Sequence, residues 1–256
     1  MKKAITAAII LIVSAAMLPA DSLKMPGAYK MLSQSVNDTA VKGNNQLKIY
    51  TEHYMMYANL SADERVSSFG IGSYSVSDGN VIENVIYRGA DTTVSTNLAP
   101  AKLNIKKTPR GYIQVIPALE VAQGQKIKLT EEYESVGTAA KSPLDGAWKE
   151  AGTYVVIGKD TTRNQVTQYK IYYAGHFLWG QSYLDSTKKN FTAIGFGTFK
   201  MNGTNKMTET VMASTYSSIN GQTNDIDITM NGKDKFKLSI TYPTGKLVEF
   251  YERLKK

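Results

Sequence analysis

The sequence contains no cysteine, and it has only two histidines and two tryptophans among its 256 residues. The absence of cysteine excludes disulfides, a cysteine nucleophile and a lipid anchor carried on cysteine. With only two histidines, the chain has no HxH or HExxH pattern, whereas a zinc site needs three or four protein ligands. We therefore predict no metal, no cofactor and stabilisation by packed cores alone.

Other catalytic signatures are also missing. The sequence has no GxSxG elbow, no Walker loop and no dinucleotide fingerprint, so no catalytic residue is assigned. Gly70–Gly72 and Gly195–Gly197 lie within strand-like segments, which favours bending of a barrel wall over phosphate binding. The net charge of +8 comes from scattered basic residues without a dense Lys/Arg run, so nucleic acid is not an expected partner.

The first twenty residues have the pattern of a secretory signal. Lys2 and Lys3 precede the uncharged, apolar run Ala4–Ala20, which is too short to span a bilayer comfortably. We expect cleavage after Ala20, with Ala15 as the alternative. The mature protein is then secreted or periplasmic, without a transmembrane segment, and it is not a lipoprotein.

Two parts of the chain repeat each other. The pattern QxKIY occurs at Gln46–Tyr50 and again at Gln168–Tyr172, an offset of 122 residues. Further matched segments follow in the same order with similar offsets: Gly27 with Gly146, Gly70–Tyr74 with Gly195–Phe199, Glu83 with Glu209, Leu103–Ile105 with Ile226–Ile228, and Leu129–Glu134 with Leu247–Glu252. A gap of one residue also aligns His53 with His176. The order and spacing indicate a tandem duplication.

The duplication divides the chain. After a signal peptide at 1–20, copy one covers 21–137, a short linker covers 138–143, and copy two covers 144–256. The linker is small, polar and contains proline, as expected between domains.

Within each copy the residue pattern is that of β-strands. Runs rich in Tyr, Val, Ile and Thr alternate with turn signals such as Asp78-Gly79 and Asn202-Gly203, and no long helical periodicity is present. We read Gln168–Trp179 as the second strand of its copy. The predicted fold class is all-β, with two tandem antiparallel, roughly eight-stranded barrels that remove open sheet edges.

Several segments of copy two resemble a known family. These are Gly146–Lys149 at the start, Lys170–Trp179, Gly195–Phe199, Thr208-Glu209, and the closing Tyr251–Arg253. They are similar to lipocalin-like (calycin-type) barrels, in particular to small secreted lipocalin-like domains of unknown function from Bacteroidetes. The resemblance implies a barrel with an internal cavity and a structural tryptophan at Trp148, with Tyr29 as its replacement in copy one. It implies no particular ligand.

Glu209 is the strongest candidate for a ligand contact. Its in-phase neighbours Met207 and Val211 are apolar, so its carboxylate is predicted to face the barrel interior, and Glu83 repeats the pattern. Burying a carboxylate is costly unless it is paired or hydrogen-bonded. Glu209 is therefore either a ligand contact or a structural acid tied to backbone or tyrosine.

His176 has two possible roles. It could share a proton with Glu209 or hold a ligand hydroxyl, or it could satisfy a carbonyl at the end of a strand near Gly175. The full predicted ligand-binding set in copy two is Tyr172, His176, Trp179, Thr198, Phe199 and Glu209. The proposed copy-one equivalents are Tyr50, His53, Met56, Ser73, Tyr74 and Glu83.

Three functions are compatible with these features. The leading hypothesis is a secreted, non-enzymatic protein that binds a small, partly apolar ligand in the lumen of copy two. The second is a structural or adaptor module of the cell envelope, with filled barrels and a protein partner. The third is an isomerase or lyase that uses His176 and Glu209 as an acid–base pair, which requires the two side chains to lie close together.

Overall fold

The structure is a computed structural model that describes residues 23–61, 67–122 and 124–256. The predicted signal peptide at 1–20 lies outside the described residues. Among the described residues, no helix is long and apolar enough to cross a membrane. Within these described ranges, the single helical element is one 3₁₀ turn, Ser217–Ile219.

The first half of the chain forms a closed antiparallel barrel, here called barrel one. Its strands are β1 (Gly27–Val36), β2 (Thr39–Val41), β3 (Asn45–Tyr50), β4 (Tyr54–Leu60), β5 (Ser67–Ser77), β6 (Asn80–Ala90), β7 (Thr93–Thr96), β8 (Ala101–Lys107), β9 (Gly111–Ala122) and β10 (Gln125–Ser135). The wall runs β1-β3-β4-β5-β6-β8-β9-β10 and closes by pairing of β10 with β1. The short strands β2 and β7 extend β1 and β6 at the rim.

The second half forms a second closed barrel, here called barrel two. Its strands are β11 (Gly146–Ile157), β12 (Asp160–Asn164), β13 (Thr167–Tyr173), β14 (His176–Leu184), β15 (Asn190–Met201), β16 (Lys206–Ser214), β17 (Thr223–Asn231), β18 (Lys235–Tyr242) and β19 (Gly245–Arg253). Pairing of β11 with β19 closes the wall, and β12 pairs only with β11. The predicted all-β class with two tandem eight-stranded barrels is confirmed.

Tight turns connect the strands. Asp78 and Gly79 both have positive φ, 50° and 73°, and join β5 to β6. Such a pair suits a type I′ hairpin, whose twist matches that of the strands. Ala174 and Gly175 have φ of 51° and 79° and join β13 to β14 in the same way. The stretch Gln168–Trp179 is therefore a hairpin, and the prediction that it forms one strand is wrong.

The strand pairing also corrects one part of the repeat alignment. Lys48 pairs with Tyr57 in barrel one, and Lys170 pairs with Trp179 in barrel two, with turns of equal length. The two hairpins therefore align without a gap, and His53 corresponds to Gly175 rather than to His176. The counterpart of Trp179 is Tyr57, and Met56 corresponds to Leu178.

Each barrel has its own interior core, and a third core lies between them. Alternation along the strands sends one set of side chains into the interior, or lumen, and the other set outward. On β3–β5 and β13–β15 the outward set is apolar and buried, and it forms one cluster that contains Ile49, Met56, Phe69, Ile171, Leu178 and Phe196. The two barrels thus pack wall to wall.

One end of each lumen is closed by an aromatic residue near the start of the first strand. Trp148 Nε1 donates to the carbonyl of Leu144 at 2.8 Å, and Tyr29 donates its hydroxyl to the carbonyl of Met25 at 3.0 Å. In barrel two the guanidinium of Arg253 lies 4.0 Å from the ring centroid of Trp148. Both aromatic residues are buried within their lumen cores.

Candidate ligand-binding site

The lumen of barrel two contains a cavity of about 730 Å³ at the end opposite Trp148. Its lining is mixed in polarity. The deeper lining residues are Thr153, Gln168, Lys170, Trp179, Glu209, Val211, Ile240, Leu247 and Glu249. Its mouth is bordered by side chains that remain exposed, including Arg163, Leu184 and Tyr242.

A first polar group lies at the floor of this cavity. Lys170 Nζ is 2.9 Å from Glu209 Oε1, and Tyr172 donates its hydroxyl to the same oxygen at 2.5 Å. All three residues are almost completely buried. Burial, followed by the negative charge of Glu209, raises the pKa of Tyr172 well above its usual value, so it remains a neutral donor.

A second polar group lies beside the first. Gln168 Nε2 is 3.2 Å from Glu249 Oε1 and also contacts the hydroxyl of Tyr251. Tyr251 in turn donates to Glu249 Oε2 at 2.9 Å. The carboxylate of Glu249 is thus held by two neutral donors and still faces the cavity.

Trp179 supplies an aromatic wall. Its ring is stacked on Tyr216, with centroids 6.0 Å apart and planes inclined by 23°. The cross-strand partner of Trp179 is Gly195, and a Cβ at that position would lie about 2.5 Å from the indole ring. The glycine therefore makes room for the indole against the wall.

Barrel one contains both polar groups in corresponding positions. Lys48 Nζ lies 2.7 Å from Glu83 Oε1, and Tyr50 donates to the same oxygen. The second group is also repeated, since Gln46 contacts Tyr133, whose hydroxyl lies 2.9 Å from Glu131 Oε2. The Lys–Glu–Tyr and Gln–Glu–Tyr groups are thus part of the shared barrel design.

The barrels differ in what surrounds the second glutamate. In barrel one, Gln34 donates to Glu131 at 2.7 Å, and Gln114 donates to it at 2.5 Å while accepting from Lys48 at 3.2 Å. Strand pairing places Thr153 where barrel one has Gln34, and Leu238 where it has Gln114. Thr153 is shorter than Gln34 and borders the cavity, whereas Leu238 replaces Gln114 with an apolar core side chain.

The structure brings together four of the six residues predicted for copy two. Trp179 and Glu209 line the cavity, whereas Tyr172 and Phe199 belong to the lumen core below it. His176 and Thr198 lie on the outer face of the wall. His176 is on the same side of β14 as Leu178, and Thr198 is the residue of β15 that pairs with His176. His176 and Glu209 therefore do not face each other.

The environment of His176 matches the alternative considered for it. Its Nδ1 is 3.3 Å from the carbonyl oxygen of Ala174, at the end of strand β13. Partial burial lowers its pKa below the usual value. Among the described residues, no group of three or more His, Cys, Asp or Glu side chains could hold a metal ion.

The copy-one residues divide in the same way. Tyr50 and Glu83 are buried in the lumen, and Tyr74 packs beside Tyr50 with ring centroids 4.9 Å apart. Met56 belongs to the cluster between the barrels. Ser73 pairs with Tyr54, and this pair corresponds to Thr198 and His176 in barrel two. His53 is exposed in the turn between β3 and β4.

Sequence reasoning missed several residues of the cavity: Thr153, Gln168, Lys170 and Glu249. Gln168 and Lys170 are part of the QxKIY repeat, and their two-residue spacing with Tyr172 places all three side chains on one face of the strand. Glu249 alternates with Leu247 and Tyr251, and this two-residue period could have placed it on the lumen face.

No family model matches the chain, and the curated proteins contain no significant match to it. The architecture itself, two closed eight-stranded antiparallel barrels in tandem, is consistent with a lipocalin-like fold.

Proposed function

We propose that this protein is a binding protein that holds one small, partly apolar molecule in the lumen of barrel two. The observation that carries this proposal is the cavity of about 730 Å³, which lies within the range typical of small-molecule sites. Its lining combines apolar side chains with a few fixed polar groups, which is the usual composition of such sites.

The fold supports the same function. Closed barrels of eight strands have interiors just large enough for side chains or for one small ligand. The resemblance to secreted lipocalin-like domains of Bacteroidetes adds a proposed family and, with the apolar run Ala4–Ala20, a proposed location outside the cytoplasm. A structural role is the second candidate, and the wall-to-wall core together with the three donors around Glu131 favours it for barrel one.

An acid–base function of His176 and Glu209 has no comparable support. General acid–base chemistry needs the two groups within hydrogen-bonding distance or joined through one water. His176 lies on the outer face of the wall and Glu209 on the inner face.

Binding can be tested with N-phenylnaphthylamine, a neutral dye that fluoresces in apolar surroundings. We expect saturable enhancement and energy transfer from the tryptophans, and Trp179→Phe should lower that transfer because it removes the tryptophan that lines the cavity. The matched variant Tyr57→Phe in barrel one should leave dye binding unchanged. A wild-type protein that does not bind the dye or any extractable small molecule would refute the proposal.

A further inference from the structure

The lumen of barrel two has unbalanced charge. Among the described residues, Lys170 is the one cation in its deeper lining, and it is already paired with Glu209. Glu249 lines the same cavity at 7% exposure and forms no ion pair in the described part of the chain. Arg163 lies at the mouth and is exposed to water.

A buried carboxylate normally needs more compensation than Glu249 receives. Its two protein donors, the amide of Gln168 and the hydroxyl of Tyr251, are both neutral. A carboxylate can accept about four hydrogen bonds, and burying its charge is costly unless those sites are filled or a cation is near. Glu249 therefore has unused acceptor capacity on the side that faces the cavity.

Barrel one shows how protein groups alone can satisfy the same glutamate. Glu131 receives the corresponding tyrosine and two additional amides, Gln34 and Gln114. Through Gln114 it is also connected to Lys48. In barrel two, Thr153 and Leu238 replace these amides, so Glu249 lacks both donors, and the shorter Thr153 borders the cavity.

We propose that the ligand of barrel two carries an ammonium or other cationic amine group, which pairs with Glu249 while its apolar part lies against Trp179. This inference rests on the proposed binding function and adds the chemical class of the ligand. An ammonium group would supply charge-assisted hydrogen bonds where neutral donors are missing. The indole of Trp179 offers an aromatic face that also attracts cations.

The charges of the lumen also favour an amine over an acid. Among the described residues, the one lysine in the deeper lining is Lys170, and it is already paired with Glu209. A carboxylate ligand would therefore meet the carboxylate of Glu249 without a free cation in the deeper lining to offset the repulsion. Like charges brought together in a low-dielectric site repel strongly.

The test uses three probes of the same shape: naphthylethylamine, naphthylethanol and naphthylacetate. Binding of each at pH 7 is measured by displacement of N-phenylnaphthylamine and by calorimetry. We expect the amine to bind roughly tenfold or more tightly than the alcohol, and the acid to bind most weakly, because a charged hydrogen bond contributes about 1.5–3 kcal/mol.

Glu249→Gln keeps the shape of the side chain and removes its charge, so it should lower amine affinity roughly tenfold and bring the ratio of amine affinity to alcohol affinity close to one. Glu131→Gln, the matched change in barrel one, should not affect amine affinity. Equal binding of amine and alcohol, or an unchanged amine affinity in Glu249→Gln, would overturn the cationic-ligand inference while leaving the binding function intact. If neither the dye nor any of the three probes binds, the proposed function and this inference both fail.

Discussion

Barrel one and barrel two have the same wall and the same two buried polar groups, but they differ in how the lumen is filled. Lys48–Glu83 and Lys170–Glu209 are equivalent ion pairs at 2.7 and 2.9 Å. Only in barrel one do two amides, Gln34 and Gln114, close over the second glutamate. The side chains that the two barrels share are therefore best explained by a structural role. The side chains that differ are best explained by ligand binding in barrel two.

This comparison changes the meaning of the buried glutamates. Considered alone, Glu209 is a buried acid that could be a ligand contact. Its repetition as Glu83, with the same lysine and tyrosine, indicates a structural role in both barrels. Glu249 differs because its neighbours differ between the two copies.

The largest expected effect comes from breaking the shared ion pair. Lys170→Met leaves the carboxylate of Glu209 buried without its cation, and we expect a loss of about 4 kcal/mol in the free energy of unfolding. Lys48→Met should cost a similar amount in barrel one. Urea unfolding measures both values.

The double variant Lys170→Met with Glu209→Gln provides the control, because it removes the uncompensated charge and should recover at least half of the loss. A loss in Lys170→Met of less than about 1 kcal/mol, typical of an exposed pair, would contradict the structural role of this group.

The next largest expected loss of stability comes from weakening the contact between the barrels. Phe69 packs across the wall of barrel two, where a Cβ on Gly180 would lie about 2.3 Å from its ring. Phe69→Ala should cost about 3 kcal/mol and separate the unfolding of the two barrels into two calorimetric transitions. An unchanged single transition at the wild-type temperature would mean that the shared core does not couple the barrels. Phe191→Ala, at a largely exposed site, is the control.

A smaller change should convert the lumen of barrel two toward that of barrel one. Thr153→Gln places an amide where Gln34 donates to Glu131, so it should fill part of the cavity and satisfy Glu249. We expect roughly tenfold weaker binding of N-phenylnaphthylamine, with stability unchanged within about 1 kcal/mol. The reciprocal variant Gln34→Thr serves as the control and should not alter the affinity of barrel two. Undiminished dye binding in Thr153→Gln would place the dye elsewhere.

The smallest expected effect is on the pH dependence of stability, and it comes from Asp145, which has no acidic counterpart in barrel one. Desolvation raises the pKa of Asp145 to about 6, and the matched position in barrel one is Pro26. Because the folded state binds this proton more tightly than the unfolded state, Asp145 stabilises the fold at low pH. That contribution is lost as pH rises from about 4 to about 6.

Asp145→Asn should therefore remove this part of the pH dependence. At pH 7 the variant should be more stable than the wild type by on the order of 1 kcal/mol, a value discounted because Asp145 is only partly buried. The difference in melting temperature between the two proteins, measured from pH 4 to pH 8, checks the prediction. A difference that does not vary with pH would contradict it.

The sequence was sufficient to predict the fold because the signals were local and repeated. Turn pairs such as Asp78-Gly79 and the two-residue alternation of the strands each specify short-range structure. The tandem repeat then predicted that the chain forms two such barrels. The prediction that Glu209 faces inward followed from the same alternation.

The open space beside Glu249 and the orientation of His176 could not be predicted because they depend on how neighbouring strands pair. Whether His176 faces the lumen changes with a shift of one residue, since each such shift moves a side chain to the other face. The inserted gap produced such a shift and aligned His53 and Met56 with the wrong partners. The open space beside Glu249 depends on Thr153, which is far from it in sequence and becomes its neighbour only when β11 pairs with β19 and the barrel closes.

The most direct test of the central claim is the number of N-phenylnaphthylamine molecules bound per chain, measured by calorimetric titration of the wild-type protein. The different filling of the two lumens predicts one site per chain, with the dye close enough to Trp179 for energy transfer. Two equivalent sites per chain, or one site whose binding is lost in barrel-one variants but not in Thr153→Gln, would contradict the assignment of architecture to barrel one and binding to barrel two.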